Sequence, residues 1–324
     1  MHTRRISMAQ FAMALRFSMV LWFALGGATA AAQDLTQYHV YTFQGSRVAD
    51  ALGAAVIAVG DLDGDGVEDV AIGAPRPLGE TGGSVTLHSG ATGAILSEID
   101  GPAPTHGASG RFGAALALLP DLDEDGFGEL AVGLPRDDAG GLDAGAIELR
   151  GLPGGELLAR LEGFPGEWLG TALAVAELDG EELPELVAGG PGGDIVVAWS
   201  GQWLRAAAAG GSPPGDGLVL TSTGAGHHGT ALAVLGDLDG DGRDDLAIGA
   251  PSDAGSAGPW AGSVTVLSGG SGALLTRLEG SEPSHTLGSA LSSVASLDGD
   301  GLEELVVGAP GAGGERRGEV SVWS

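Results

Sequence analysis

From residue 50 onward the chain alternates short apolar runs with turns rich in glycine and acid, and the alternation recurs. The first group reads "AAVIAV", "DVAIG", "SVTLHS" (84–89) and "AILSEI" (94–99); a later one reads "TALAVL", "DLAIG", "SVTVLS" and "ALLTRL". Apolar runs this short, bounded by Gly, Asp, Ser and Pro, predict strands rather than helices. We denote each group of four as strands A to D.

The acidic strings between A and B set the register. They begin at Asp61, Asp121, Glu177, Asp237 and Ser296, spaced 60, 56, 60 and 59 residues apart. A glycine stands before each (Gly53, Gly113, Gly170, Gly229, Gly288), and a Gly-x-Pro follows, as at Gly73 to Pro75 and Gly249 to Pro251. A long-period repeat signals a solenoid, propeller or array. The expected units run near 46–105, 106–163, 164–224, 225–280 and 281–324, within one repeat domain spanning 33–324. A four-stranded unit is the blade of a β-propeller, so the predicted class is all-β.

Carboxylates packed this closely repel one another and require a cation. In the first loop, positions 1, 3, 5 and 9 are Asp61, Asp63, Asp65 and Asp69; Gly66 permits the turn and Val67 offers its backbone carbonyl. The fourth loop repeats this with Asp237, Asp239, Asp241, Asp245, Gly242 and the carbonyl of Arg243. The second has Asp121, Asp123, Asp125, Phe127 and Glu129, and the fifth has Asp298, Asp300, Leu302 and Glu304 behind Ser296. A cage of hard oxygens suits Ca²⁺ rather than zinc or copper. The third loop is degenerate: Glu177, Asp179, Glu181 and Glu185, with Glu182 in the glycine position and Pro184 two residues on. Three to five ions are therefore expected. An EF-hand is excluded, because its position-12 Glu is replaced by Ile72, Val132, Ala188, Ile248 or Val307.

The string "RFGAALALLPDLDEDGFGELAVGLP" (111–135) and its counterparts resemble FG-GAP repeats, the blade sequence of integrin α-subunit propellers and of many exported bacterial proteins. The resemblance covers roughly residues 40 to 324. The literal Phe-Gly survives only at Phe112-Gly113; Leu52, Leu169, His228 and Leu287 stand elsewhere. The resemblance implies that the position-9 acid closes each cation site. Integrin propellers have seven blades, whereas five units are present here. The last unit ends at its C strand, "GEVSVWS", and "YHVYTFQG" (38–45) aligns with the D strands "LLARLEG" and "LLTRLEG". A closed five-bladed wheel is expected, with 38–45 completing the last blade and hiding an edge.

Composition narrows the function. The 61 glycines and 16 prolines suit a turn-rich β protein. No cysteine is present, which excludes disulfides, thiol catalysis and cysteine-bound zinc. All 14 basic residues are arginine, and the net charge of -29 argues against nucleic acid and anionic membranes while suiting a cation. Residues 1–32 read as an export signal, with Arg4, Arg5 and Arg16, an apolar Phe17 to Leu25, and small residues at Ala28 to Ala32. The apolar run is too short to span a bilayer. A secreted, periplasmic or cell-surface location is expected, with no transmembrane segment.

Strand polarity puts the acidic loops on one face and the B–C and D–A connections on the other, the face that integrin propellers use for partners. There the candidates are Arg76, Arg136, Trp168, His228, Trp260 and Arg316. The expected function is a calcium-stabilised module for protein or glycan recognition, not an enzyme. The alternatives are a structural part of a cell-envelope assembly and a propeller glycosidase, which needs only a carboxylate pair from residues such as Asp137, Asp138, Asp143 and Asp253.

Overall fold

The computed structural model describes residues 4–5, 41–45, 49–75, 82–103, 109–211, 218–219, 226–297, 299, 301–313 and 317–324. They form five four-stranded antiparallel sheets and one helix. Strand β1 is Arg4–Arg5. The first sheet joins β2 (Val56–Ala58), β3 (Val70–Ala74), β4 (Ser84–His88) and β5 (Ile95–Asp100), in chain order. The second joins β6 (Leu116–Leu118), β7 (Leu130–Leu134), β8 (Ala146–Arg150) and β9 (Leu157–Glu162). The third joins β10 (Ala172–Ala176), β11 (Glu185–Gly190), β12 (Ile195–Trp199) and β13 (Leu218–Val219). The fourth joins β14 (Ala231–Leu235), β15 (Asp245–Ala250), β16 (Ser263–Leu267) and β17 (Leu274–Glu279). The fifth joins β18 (Ala290–Val294), β19 (Glu304–Ala309) and β20 (Glu319–Trp323), with β1 at its edge.

The first strands β2, β6, β10, β14 and β18 lie side by side from one sheet to the next. The second strands are almost wholly apolar and buried, as expected for strands covered on both faces. Four apolar cores fill the spaces between successive sheets, and small and branched side chains (Ala, Val, Leu, Ile) supply most of them. Glycine makes the close approach possible. A Cβ on Gly73, Gly133, Gly189 or Gly249 would lie within 2.0–2.1 Å of the carbonyl oxygen of Gly113, Gly170, Gly229 or Gly288 in the next sheet. Those partners take φ of 86 to 88°, a region that side chains disfavour.

Among the described residues this junction is made four times, and not between the fifth sheet and the first. A Cβ on Gly53 would meet nothing within 4 Å, and one on Gly308 would meet only Ala290 of its own sheet, at 3.4 Å. Val306, Val320 and Val322 are half-buried, whereas their counterparts Ala247, Val264 and Val266 are covered by the fifth sheet. The expected closure of the wheel is thus not seen at this junction.

Two further expectations are corrected. The strand that edges the fifth sheet is Arg4–Arg5, paired with Val322 and Ser321, not 38–45. Residues 41–45 form no strand. They pack on the first sheet instead: the Tyr41 hydroxyl donates to the Ala91 carbonyl, and the Phe43 ring lies 4.3 Å from that of His88. Residues 38–40 and the rest of the export-signal reading lie outside the described residues. The third unit also departs from four full strands. After β12, helix α1 (Gly201–Ala208) is capped by Ser200, whose side chain accepts from Trp203 N, and buries Leu204 and Ala207. The run "QWLRAAAA" consists largely of good helix formers, and the described part of the outer strand is Leu218–Val219.

Alanine scanning checks the junctions. Gly249→Ala forces a methyl onto the Gly288 carbonyl and should cost about 1–3 kcal/mol or more. Gly308→Ala should be neutral or slightly stabilising, read by chemical denaturation. Equal losses at both positions would mean that the fifth sheet abuts a neighbour as the others do.

Candidate metal centres and the opposite face

Every second strand begins with, or just after, a buried acid. Asp69, Glu129, Glu185, Asp245 and Glu304 are all nearly or fully inaccessible, and each accepts the backbone N–H of the residue at position 2 of its loop. The donors are Leu62 (2.7 Å), Leu122 (2.8 Å), Leu178 (2.7 Å), Leu238 (2.8 Å) and Leu297 (2.8 Å). The second oxygens of Asp69 and Asp245 take Gly90 N and Gly269 N from the turn after the third strand, at 3.0 and 3.1 Å. One carboxylate therefore ties the loop, the second strand and the outer hairpin together.

The rest of each loop wraps the position-1 acid. Asp61 accepts from Gly64, Asp65 and Gly66, Asp121 from Glu124, Asp125 and Gly126, and Asp237 from Gly240, Asp241 and Gly242, at 2.6–3.2 Å. Positions 4 and 6 carry the positive φ this needs: 78° and 87° at Gly64 and Gly66, with Glu124 at 67° the one side chain. The result is convergence. One carboxylate oxygen each from positions 1, 3 and 9 comes within 4.8 Å of the others in loops one, two and four, and in the degenerate loop three as well (Glu177, Asp179, Glu185). The position-5 acids Asp65, Asp125 and Asp241 instead accept the N–H of Val67, Phe127 and Arg243. In loop five, Asp298 and Asp300 lie outside the described residues; the Ser296 hydroxyl accepts from Gly299 and Gly301, both at 3.1 Å.

Burial and mutual repulsion dominate the electrostatics of these acids. Burial pushes Glu129 and Glu185 up to about 7, with their acidic neighbours adding to the shift, and burial likewise raises Asp245. Asp237 is lowered, chiefly by its bond from Gly242. Glu185 Oε1 is buried without a partner. Three hard oxygen donors on a loop that already fixes their lone pairs can hold a divalent cation.

On the opposite face the sequence candidates separate. Arg76 and Arg316 lie outside the described residues. Arg136 and Trp168 meet: the guanidinium carbon sits 4.0 Å from the indole centre, with Asp143 at 2.9 Å behind it. The His227 ring stacks on Trp168 at 5.5 Å and pairs with the Ser252 hydroxyl at 2.8 Å. Trp168 and His227 occupy the same position, two before the repeat glycine, as do Ala51, Arg111 and Thr286; all five have φ between 54 and 62°. That shared backbone, visible in the sequence only by aligning the glycines, turns these side chains outward. Trp260 is 61% exposed beside a cavity of about 270 Å³ with Ser284, Thr286, Pro310 and Gly311.

His228 is a correction. It is 0% exposed, because the residue directly before the glycine points into the packed interior, as Phe112, Leu169 and Leu287 do. Both ring nitrogens are unpartnered. The candidate carboxylates are also engaged: Asp137 by Arg160, Asp143 by Arg136, and Asp253 by Arg277 and Ser263.

Five repeated sheets with acidic loops at one end define a repeat-built, acidic-loop β protein. The FG-GAP repeat model matches residues 53–88, 228–267 and 288–323. The chain is 30% identical to integrin alpha-5 of Xenopus laevis over 180 residues, 50% of this chain. It is 28% identical to integrin alpha-PS2 of Drosophila melanogaster over 304 residues, 87% of this chain. It spans 17% of the length of either relative. A crystal structure of BBS1N in complex with ARL6DN, soaked with lead, aligns with a TM-score of 0.48 and 14% identity, over 83% of this chain and 60% of that one. The protein is an FG-GAP repeat protein, similar to the integrin α propellers.

The buried imidazole supplies a pH test. Burial lowers the His228 pKa from 6.5, so the unfolded chain takes up the proton first and stability falls as pH drops through about 6.5. His228→Leu, the residue used at Leu52, Leu169 and Leu287, should stabilise by about 1–2 kcal/mol at neutral pH. Its advantage over the wild type should grow between pH 7.5 and 5.5 in urea denaturation. A pH-independent difference would count against a neutral, buried His228.

Proposed function

We propose that the protein is an exported, calcium-stabilised β-propeller that recognises a protein or glycan partner on the face opposite its acidic loops, and that it is not an enzyme. The observation that carries the reading is the division between the two ends of the sheets. One end gathers three converging carboxylate oxygens in each of the first four loops; the other displays the exposed Trp260 and the Arg136–Trp168–His227 stack. Aromatic and arginine side chains are the usual anchors of binding surfaces. The integrin likeness supports an extracellular protein partner, and Trp260 beside the Ser284 and Thr286 residues suits a sugar ring. Calcium at loops one, two, four and five is structural, because each site is filled from its own loop. No helix among the described residues is long and apolar enough to cross a membrane. The glycosidase alternative gains no support from Asp137, Asp143 and Asp253, which are committed to arginines.

Binding decides between recognition and a purely structural role. A glycan array and a panel of extracellular protein domains, probed in millimolar calcium, should yield a ligand that Trp260→Ala loses without a change in melting temperature. Retained binding, or a destabilised variant, would make Trp260 a packing residue.

Calcium titration of stability tests the loops. Each site with Kd near 10⁻⁴ M adds about 1.4 kcal/mol at 1 mM calcium. Asp63→Ala and Asp239→Ala should each remove about one such increment, and Asp179→Ala should remove none. Equal losses at all three would contradict this ranking.

A further inference from the structure

The third loop departs from the others in a way that its acids alone do not explain. Position 7 of the fourth loop is Arg243, where the other loops have Val67, Phe127, Leu183 and Leu302. Its guanidinium reaches back across the sheet junction, with Nη1 3.5 Å from Glu177 Oε1. It lies directly on the turn at Gly180: a Cβ there would sit 1.6 Å from Nη1 and 2.2 Å from Cζ. The next residue completes a grip on the same acid. Asp244 N donates to Glu177 O at 2.9 Å, and Glu177 N donates to Asp244 Oδ2 at 3.0 Å.

The third loop also lacks the wrapping seen elsewhere. From its own loop the Glu177 carboxylate accepts Gly180 N, at 2.6 Å, and Glu181 N goes to Asp179 at 2.8 Å. Nothing corresponds to the bonds that Gly66, Gly126 and Gly242 make to their position-1 acids, because Glu182 stands in that place. The position-1 carboxylate is therefore less wrapped by its own loop and has a guanidinium beside it, while one oxygen still lies within 4.8 Å of those of Asp179 and Glu185.

We propose that the Arg243 guanidinium is the tethered cation of the third loop, taking the place that a divalent metal holds in loops one, two and four. The proposal rests on the calcium reading of those loops, although its charge pairing does not need it. The fourth loop then serves two sites: its backbone and acids form its own, and its arginine side chain neutralises its neighbour. The third blade keeps its acidic turn closed when calcium is low, while its neighbours depend on the ion. The rival occupant is a metal ion in the third loop as well, and the unpartnered Glu185 Oε1 would be one of its ligands.

Two measurements on the full chain separate these. The first is a double-mutant cycle of Arg243→Gln and Glu177→Gln, by denaturation in calcium-free buffer. A partly exposed pair should give a coupling of about 2- to 5-fold in the unfolding constant. The second is Ca²⁺ stoichiometry by equilibrium dialysis: a Glu177→Gln, Asp179→Asn variant should bind as many ions as the wild type. Coupling with unchanged stoichiometry supports the proposal. Loss of one ion in the acid variant, or no coupling in the cycle, overturns it. A wild type that binds no calcium would refute the calcium reading instead, and the cycle would still decide the role of Arg243.

Discussion

The fold depends on placing a carboxylate where water cannot reach it. At or beside the start of each second strand an acid is buried against the backbone N–H at position 2 of the loop before it, and in two sheets it also takes an N–H from the hairpin beyond. Backbone donors offset part of the cost of burying these carboxylates, and burial still raises Glu129, Glu185 and Asp245. Those bonds leave the remaining lone pairs facing two further acids. The repulsion is thus part of the architecture, and a bound cation would relieve it. The residue that organises each loop is also, in the first four, one of the three that could hold an ion, so loops of such high charge sit directly on strands of such low polarity.

The second constraint is the approach of backbones between sheets. With few aromatics, the blades come close through glycine meeting glycine, and apolar cores of small and branched side chains fill what remains. This junction is nearly all-or-none: a single Cβ on the strand side would collide with a carbonyl. Among the described residues it recurs four times, and its two unmatched halves, Gly53 and Gly308, sit at the first and fifth sheets. The valines left half-covered on β19 and β20 are the consequence.

Much of this was legible in the residues. Strand runs, loop register and the inequality of the third loop all follow from spacing and from side-chain chemistry, and the sheets confirm the strand order. What escaped was set by contacts distant in sequence. Tyr41 and Phe43 align with outer strands by pattern, yet aromatic packing on the first sheet holds them elsewhere. Helix α1 escaped because it lies in the connection between the third and fourth strands, a short turn in the first, second and fourth sheets. His228 and His227 are adjacent and chemically identical, and only the left-handed backbone at the second of these decides which is buried. Arg243 was read for its carbonyl; its side chain acts on another loop.

Hydrogen exchange at the position-2 amides tests the central claim most directly. Leu62, Leu122, Leu178, Leu238 and Leu297 lie in loops, where amides ordinarily exchange fast. If buried carboxylates hold these N–H groups, all five should be among the slowest loop amides without calcium. Adding the ion should slow Leu62, Leu122 and Leu238 further and leave Leu178 unchanged. Exchange at the rate of open turns, with or without calcium, would contradict the account.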